Sequence, residues 1–198
     1  MEEFLVYEHA QKLADEIDIT ETKRAFAIIA GTFIFGDFIE ALIKKYDWHV
    51  KKMTISTLSM TEANVDSLAN LLNGDYVDEL DLIISGFHYS HKRWTIVKYT
   101  YDELDKDNRF QLAVADCHTK ICIFETHCGR KIIIHGSANL CSSGCIEQVV
   151  IEQSAALYDF NYEIHQKIIK IFKTINKDSE PNKLKGVRGK NLINAIKS

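Results

Sequence analysis

Four polar side chains in one stretch of this 198-residue chain have the types needed to handle a phosphate group. His118 and Lys120 stand two residues apart, and Ser137 and Asn139 form a second pair further along the chain. An imidazole can attack phosphorus or transfer a proton, and an ammonium group supplies a point charge for phosphate oxygens. A hydroxyl and a carboxamide add hydrogen bonds to the same oxygens. The stretch therefore predicts a site for phosphate chemistry.

The residues around these two pairs predict a β-hairpin that would bring them together. Residues 121–126 form a β-branched and aromatic run without glycine or proline, which is typical of a strand. Side chains two apart in a strand share a face, so we expect the imidazole and the ammonium group of the first pair to project side by side. A second apolar run at 131–135 follows a turn at 127–130. The hairpin would deliver residues 136–139 at the end of its second strand.

The order of these residues resembles the HKD half-site of the phospholipase D superfamily. The matching pattern is His118-x-Lys120, then Gly136-Ser137-x-Asn139, then Glu147 at the start of a further apolar strand. Residue types, order and strand context all agree, which makes the match more specific than a three-residue motif. It departs from the family in two ways: the acid after the lysine is Glu125, where the family usually has aspartate, and the motif occurs once, where the lipid-cleaving enzymes have two copies. The single copy implies a homodimer, as in the single-motif nucleases of the superfamily.

The resemblance also implies a role for each residue of the motif. His118 of one subunit would attack phosphorus to form a phosphohistidine, while the same residue of the second subunit would protonate the leaving oxygen and then activate water. Lys120 and Asn139 of both subunits would hold the non-bridging oxygens, and Ser137 would add a hydrogen bond. Glu147 would orient His118 through its other ring nitrogen. This chemistry needs no metal and no other cofactor.

Two further residues are expected to support the site. Glu125 is on the opposite strand face from His118 and Lys120 by parity, so it would anchor the strand from behind. Gly136 opens the Gly-Ser-Ala-Asn turn that carries the hydroxyl and the carboxamide.

The rest of the chain alternates between strand and helix patterns. Apolar runs predict further strands at 24–30, 48–58, 80–84, 110–115 and 149–151. Helical spacing predicts intervening helices and a long helix at 155–175, with His165 on its flank as a structural residue. This order predicts an α/β fold with a mixed, mainly parallel sheet flanked by helices, which is also the phospholipase D-like fold that the resemblance implies. We assign residues 1–176 to this domain and residues 177–198 to a basic tail.

Three local patterns make sharper predictions about helix ends. Apolar spacing predicts an opening helix at 7–17. Asp37 is expected to cap the next helix. Ser59 and Glu62 have the spacing of a capping box for the third.

Helical spacing also predicts a helix at 88–104 with Trp94, Val97, Tyr101 and Leu104 on one face. His88, His91, Lys92 and Arg93 cluster near its start. The cluster is either a phosphate-contacting rim of the site or a solvated first turn, and its ordinary spacing favours the second interpretation.

The tail predicted at residues 177–198 carries six lysines and arginines and two acids, although the whole chain has a net charge of −4. Basic residues among glycines and asparagines suit contacts with nucleic-acid phosphates, and a solubilising tail is the alternative. The candidate contacts are Lys183, Lys185, Arg188 and Lys190.

Composition predicts an intracellular, cytoplasmic protein. The chain is 46% hydrophobic and 26% charged, which is ordinary for a globular domain. The acidic N-terminus lacks the apolar core of a secretory signal, and no apolar run approaches the ~20 residues needed to span a bilayer. Five cysteines in such a chain predict free thiols.

Other functions remain open at this level. The phospholipase D-like fold could serve as a nucleic-acid-binding module without catalysis, which would show salt-dependent binding and no turnover. Lipid hydrolysis is disfavoured by the single motif copy and by the lack of an amphipathic anchor. A zinc enzyme would use Cys117, Cys128, Cys141 and Cys145 with His118, His127 and His135, but their spacing is not that of a tight zinc knuckle.

Overall fold

The computed structural model describes residues 2–7, 9–19, 24–30, 33–141 and 144–172. Over this part of the chain the strands are β1 (Glu2–Tyr7), β2 (Arg24–Ile29), β3 (Val50–Thr57), β4 (Val77–Ser85), β5 (Phe110–Ala115), β6 (Ile121–Thr126), β7 (Lys131–Gly136) and β8 (Glu147–Gln153). The helices are α1 (Ala10–Glu16), α2 (Phe35–Lys45), α3 (Glu62–Asn73), α4 (Gly86–Lys92), α5 (Lys98–Leu104) and α6 (Ala155–Phe172). A π-helical turn at Arg93–Val97 joins α4 to α5.

The described strands form one mixed sheet in the order β1-β2-β8-β7-β6-β3-β4-β5. Strands β6 and β8 run against the other six, which all point the same way. The prediction of a mixed sheet flanked by helices is therefore confirmed; three of the seven pairings in the described sheet are parallel and four are antiparallel. This topology brings the last residues of β3, β4, β5 and β7 to the same edge as the first residues of β6 and β8. We call this end of the sheet, where those residues meet, the carboxyl edge.

The predicted hairpin is present as β6 and β7, and it lies at the centre of the sheet. Ile132, Ile133 and Ile134 are all fully buried. Ile132 and Ile134 pack in the large core on the face of α1, α2 and α3, whereas Ile133 packs with Ile123 and Tyr158 beneath α6. Each buried isoleucine contributes about 1.5–3 kcal/mol relative to exposure, so the uninterrupted apolar run reflects a strand that is covered on both faces.

The opening helix predicted at 7–17 is present as α1, at Ala10–Glu16, whereas strand β1 at Glu2–Tyr7, which pairs in parallel with β2, was not predicted. The two predicted helix caps were wrong. Asp37 is inside the first turn of α2, and its carboxylate accepts a hydrogen bond from Ser67 Oγ at 2.5 Å. Helix α3 has Thr61 at its N-cap without a side-chain cap, and Ser59 Oγ contacts Cys141 Sγ at 3.0 Å instead. Tertiary contacts decide the position of these side chains.

The predicted helical conformation of residues 88–104 is confirmed, but the predicted buried face is wrong for Trp94. Trp94 is 77% exposed, while Val97 and Leu104 are each 1% exposed. A π-helical turn holds one residue more than an α-helical turn would, so the spacing that linked Trp94 to Val97 no longer places them on one face. Trp94 therefore lies outside the core in which we had predicted it.

Helix α6 begins at Ala155, as predicted, and residues 173–175 of the predicted helix lie outside the described residues. His165 is 2% exposed, and burial lowers its pKa to about 4. This environment agrees with the structural role predicted for it. The basic tail, with Lys183, Lys185, Arg188 and Lys190, also lies outside the described residues. None of the helices in the described ranges is both long and apolar enough to cross a membrane.

Candidate active site

His118 and Lys120 lie in an extended segment that leads into β6 from the carboxyl edge. We had predicted them within the strand itself, which begins instead at Ile121. Thr119 Oγ1 lies 2.7 Å from Ser56 Oγ at the end of β3 and 2.9 Å from Cys117 Sγ, which fixes the segment between these groups. Gly136 N donates to Lys120 O at 3.3 Å and so extends the pairing with β7 by one residue.

The two functional groups of this segment are accessible. His118 is exposed, and its ring makes no hydrogen bond to any residue that the structure describes. Lys120 is half-buried, and its Nζ donates to the backbone oxygen of His118 at 2.9 Å. No acid of the described chain forms an ion pair with this ammonium group. Its charge is therefore available to a phosphate oxygen.

Ser137 is held at the corner between β7 and β8. Its backbone N–H donates to Gln148 O at 2.9 Å, and its Oγ accepts from Gln148 N at 3.0 Å and donates to the Glu147 carboxylate. A Cβ atom at position 136 would lie 2.0 Å from Gln148 O, so only glycine allows β8 to approach this closely. Gly136 thus supports the site through this close approach of the two strands.

A pocket of 380 Å³ at the carboxyl edge brings three of the predicted groups together. His118, Lys120 and Ser137 line it, and Gly136 and His135 complete the wall on the side of β7. A pocket of this kind at the carboxyl ends of parallel strands is a common position for ligands in α/β proteins.

Asn139 follows Ser137 by two residues but is not one of the residues that line this pocket, and its side chain is oriented by the residue after β3. Its Oδ1 accepts a hydrogen bond from Leu58 N at 3.2 Å, and the following residue, Leu140, donates from its backbone to Thr57 Oγ1 at 3.1 Å. Because Oδ1 accepts from a backbone N–H, the other carboxamide atom is the NH₂ donor. Asn139 Nδ2 makes no hydrogen bond to any described residue, so this donor can serve a ligand.

Of the two predicted acids, Glu147 lies at the expected position but has a different partner, and Glu125 lies at the far end of β6. Glu147 opens β8 as predicted, but its carboxylate contacts Ser137, and no hydrogen bond joins it to His118 within the described chain. Glu125 lies near the far end of β6, where its Oε1 is 3.3 Å from Lys51 Nζ. It is therefore remote from the pocket and supports the strand at the opposite edge of the sheet.

His135 is a pocket residue that we had considered only as a zinc ligand. Its Nε2 is 3.3 Å from Glu152 Oε1, and Glu152 is also bonded to Arg24 at 2.5 Å. His135 precedes Ser137 by two residues on β7, so the parity that placed His118 beside Lys120 could have placed His135 on the pocket side as well. The contact with the Glu152 carboxylate positions the His135 ring at the wall of the pocket.

The cysteines and histidines of the zinc alternative are dispersed over the fold. Cys117 is buried at the carboxyl edge, whereas Cys128 is exposed in the turn between β6 and β7. In the described ranges no group of three or more histidine, cysteine, aspartate or glutamate side chains is arranged to hold a metal ion. Cys117, Cys122, Cys128 and Cys141 have free thiols, as expected from the sequence.

Comparisons with known proteins support the fold. No family model matches the chain, and no curated protein matches it either. Among solved structures it is similar to Nuc from Salmonella typhimurium, a phospholipase D family member, with a TM-score of 0.52 and 16% identity over 74% of this chain and 95% of that one. It is also similar to the phosphatidylserine synthase of Haemophilus influenzae Rd KW20, with a TM-score of 0.50 and 15% identity over 76% of this chain and 39% of that one. The protein therefore has the fold of the phospholipase D superfamily.

Proposed function

We propose that this protein is a metal-independent phosphodiesterase that hydrolyses nucleic-acid phosphodiester bonds. The observation that carries the proposal is one pocket in which an imidazole without a hydrogen-bond partner in the described chain, an ammonium group without an acidic partner there and a hydroxyl meet. Such a set supplies a nucleophile, a fixed positive charge and a hydrogen-bond donor or acceptor without any cofactor. The similarity in fold to Nuc is consistent with this chemistry.

The proposed reaction has two steps at phosphorus. A ring nitrogen of His118 attacks the phosphorus atom, the phosphorus–nitrogen bond forms and the bond to the leaving oxygen breaks. The leaving oxygen takes its proton from His118 of a second subunit. Water then attacks the phosphohistidine, gives its proton to that second imidazole and releases the free His118 and the phosphomonoester.

Charge on the non-bridging oxygens must be stabilised in both steps. Lys120 supplies a positive charge, and the Nδ2 of Asn139 supplies an N–H donor that no other described residue uses. In the single chain Glu147 holds the hydroxyl of Ser137, so we assign Glu147 the role of positioning that hydroxyl. Its predicted contact with His118 would require a change at this corner.

The proposed reaction needs two copies of the protein. One motif supplies one imidazole, while attack and protonation of the leaving group need two. His118 is exposed at the carboxyl edge, as a residue shared across a two-fold axis has to be before the subunits meet. Solution mass measured by light scattering should give a dimer, and a strictly monomeric active enzyme would contradict the shared site.

Digestion of labelled nucleic acid tests the activity directly. Wild-type protein should cleave at least one of single-stranded DNA, duplex DNA, single-stranded RNA or duplex RNA, and EDTA should not affect the rate. His118→Ala should abolish cleavage. His127→Ala is the matched control, because His127 is also exposed but is bonded to Asp78 at the far end of β6. Salt-dependent binding of any of these substrates without turnover would instead favour the non-catalytic binding module.

A further inference from the structure

The surface of α4 and the π-helical turn has features that the phosphodiesterase chemistry does not use. Phe87 is 66% exposed and Trp94 is 77% exposed, which is unusual for side chains of this size. Between them the chain carries His91, Lys92 and Arg93, and no acid occurs from residue 86 to residue 98. We call these five residues the α4 surface.

The cations of the α4 surface are not neutralised by the described chain. Neither Lys92 nor Arg93 forms an ion pair there. The guanidinium of Arg93 lies over the ring of Trp94, with 4.6 Å between its Cζ atom and the ring centroid. The rings of Phe87 and His91 are 4.0 Å apart between centroids. Two exposed aromatic rings and two cations without an ion pair in the described chain therefore lie within eight consecutive residues, 87–94.

The start of α4 is connected to the candidate site by hydrogen bonds. Ser85 Oγ accepts from His88 N at 3.0 Å and donates to Leu58 O at 2.8 Å. Leu58 N in turn donates to Asn139 Oδ1. On its other side, Gly86 is so close to Asp116 that an added Cβ would lie 3.4 Å from Asp116 Oδ1, and this aspartate precedes the His118 segment. The α4 surface therefore starts at the same edge of the sheet as the pocket.

The π-helical turn is what exposes Trp94. An uninterrupted α-helix would have placed Trp94 on the face of Val97, which is buried. A π-helical turn is a rare variant of the helix, and it occurs frequently at functional sites. Here it moves a tryptophan from the core side to solvent beside a free arginine, and the packing of the described chain gives no reason for that exposure.

We propose that the α4 surface binds single-stranded nucleic acid and guides it into the candidate site. This inference rests on the proposed phosphodiesterase function. Bases of a single strand stack on exposed aromatic rings, and lysine and arginine contact the phosphates between them. In a duplex the base faces are already stacked on one another, so Phe87 and Trp94 select for a strand with free bases.

A second copy of this protein fits the α4 surface less well than nucleic acid does. In a two-fold dimer built on this surface, Lys92 and Arg93 would approach the same residues of the other subunit, and like charges in contact are unfavourable. A phosphate backbone neutralises those charges. The two aromatic residues and the two cations together match the combination found in sequence-tolerant single-strand sites.

The binding test uses the full chain carrying His118→Ala, so that cleavage does not interfere. Fluorescence anisotropy with a short labelled single-stranded DNA should show that Trp94→Ala weakens binding about tenfold or more and Phe87→Ala about fivefold. Both substitutions should change the affinity for a duplex of the same sequence less than about twofold. Lys92→Ala should reduce the slope of log K against log salt for the single strand by about 0.7.

Phe160→Ala is the matched control, since Phe160 is a 61% exposed phenylalanine on α6. It should leave single-strand affinity within about twofold of the parent. Thermal unfolding of each variant checks that the fold is kept, and Trp94→Tyr should retain most of the affinity because it keeps an aromatic face. Unchanged single-strand binding in Trp94→Ala, or an equal loss for single strand and duplex, would overturn the proposal. So would a shift of the solution mass from dimer to monomer in Trp94→Ala, which would identify a second copy as the occupant.

These outcomes are independent of the catalytic proposal. The binding assay contains no functional nucleophile, so a failure of the α4 surface leaves the digestion result intact. If wild-type protein cleaves nothing and Trp94→Ala still loses single-strand binding, the surface is supported and the phosphodiesterase function is not.

Discussion

The two ends of β6 carry similar residue types in opposite electrostatic situations. At the far end, His127 Nε2 lies 2.7 Å from Asp78 Oδ2, and Lys51 pairs with Glu125 at 3.3 Å. At the carboxyl edge, His118 makes no hydrogen bond to a described residue, and Lys120 contacts only a backbone oxygen among the groups that the structure describes.

This difference shows which positive charges can act on a substrate. A cation that already has a carboxylate partner is largely neutralised, and this ion pair would have to break before the cation could contact a new anion. A cation held by a neutral carbonyl keeps its full charge for a developing negative charge. Residue type alone does not distinguish the two ends, but the acids on neighbouring strands do.

The largest expected difference between the two ends is in catalysis. Lys120→Ala should lower kcat for a small phosphodiester such as bis(p-nitrophenyl) phosphate by about 10²-fold or more, because it removes a charge that stabilises the transition state. Lys51→Ala removes a lysine of the far end and should change kcat less than about twofold. Steady-state kinetics of both variants make the comparison, and equal losses would show that the ends do not differ in the way we describe.

A third histidine tests whether freedom from partners is enough to make a residue reactive. His165 Nδ1 has no hydrogen-bond partner among the residues that the structure describes, but the side chain is on the buried face of α6, and burial lowers its pKa to about 4 from an ordinary value near 6.5. Because the folded-state pKa is the lower one, the neutral ring favours the folded state fully above pH 6.5. That contribution is lost as pH falls from 6.5 toward 4, and the loss reaches about 3 kcal/mol near pH 4.

Urea unfolding of wild type and His165→Leu at pH 7 and near pH 4 measures this effect. The wild type should lose more stability between the two pH values, and His165→Leu should lack that part of the loss. Similar losses in both proteins would mean that His165 is protonated in the folded state.

The central strands were predictable because their apolar runs have one physical explanation. Ile132, Ile133 and Ile134 are buried on both sheet faces, and residues 110–115 form β5 with the predicted bounds. The residues that line the pocket were named from their order in the sequence, and the predicted hairpin is present as β6 and β7. The strand spacing that was expected to place His118 beside Lys120 does not apply, because both residues precede β6. Their catalytic roles stay a prediction.

The rest depended on contacts between distant parts of the chain. Strand β1 forms because β2 is available for pairing, and Trp94 is exposed because of a π-helical turn for which spacing gives no signal. The contact of Glu147 with Ser137 depends on the close approach of two strands at Gly136. These features are decided by tertiary structure, which is why periodicity alone placed Trp94 in the core.

Charge pairs at the far end of β6 and the neighbouring ends of β3 and β4 should act on stability and not on activity. Burial lowers the pKa of Lys52, but hydrogen bonds and charges from Asp81 and Glu79 outweigh this and raise it above its ordinary value. Asp81 has a 6% exposed side chain and lies 2.9 Å from Lys52 Nζ. Lys52→Met leaves this carboxylate with the hydrogen bond that Gln166 Nε2 donates to its Oδ2 at 3.0 Å and should cost about 2 kcal/mol.

Denaturant unfolding measures the cost of Lys52→Met, and the activity of the variant should stay within about twofold of wild type below its unfolding transition. Since the pKa of Lys52 is raised in the folded state, the contribution of the pair is fully present below pH 10.5 and is lost as pH rises through the folded-state pKa. The difference between wild type and variant should therefore shrink in strong alkali. A difference that stays constant there would assign the stability to packing of the lysine stem.

The smallest expected effect concerns Glu125, the position at which the chain departs from the family pattern. Its side chain is 30% exposed, and its partner Lys51 is 46% exposed, so water screens the pair. Glu125→Gln should lower the free energy of unfolding by about 0.5 kcal/mol and leave kcat unchanged, because the pocket lies at the other end of β6. Glu125→Asp, which restores the usual family acid, should likewise leave kcat unchanged. A loss of activity in Glu125→Gln that approaches the loss in Lys120→Ala would mean that the acid acts on the pocket through the strand, and the separation of the two ends into a reactive and a supporting one would be wrong.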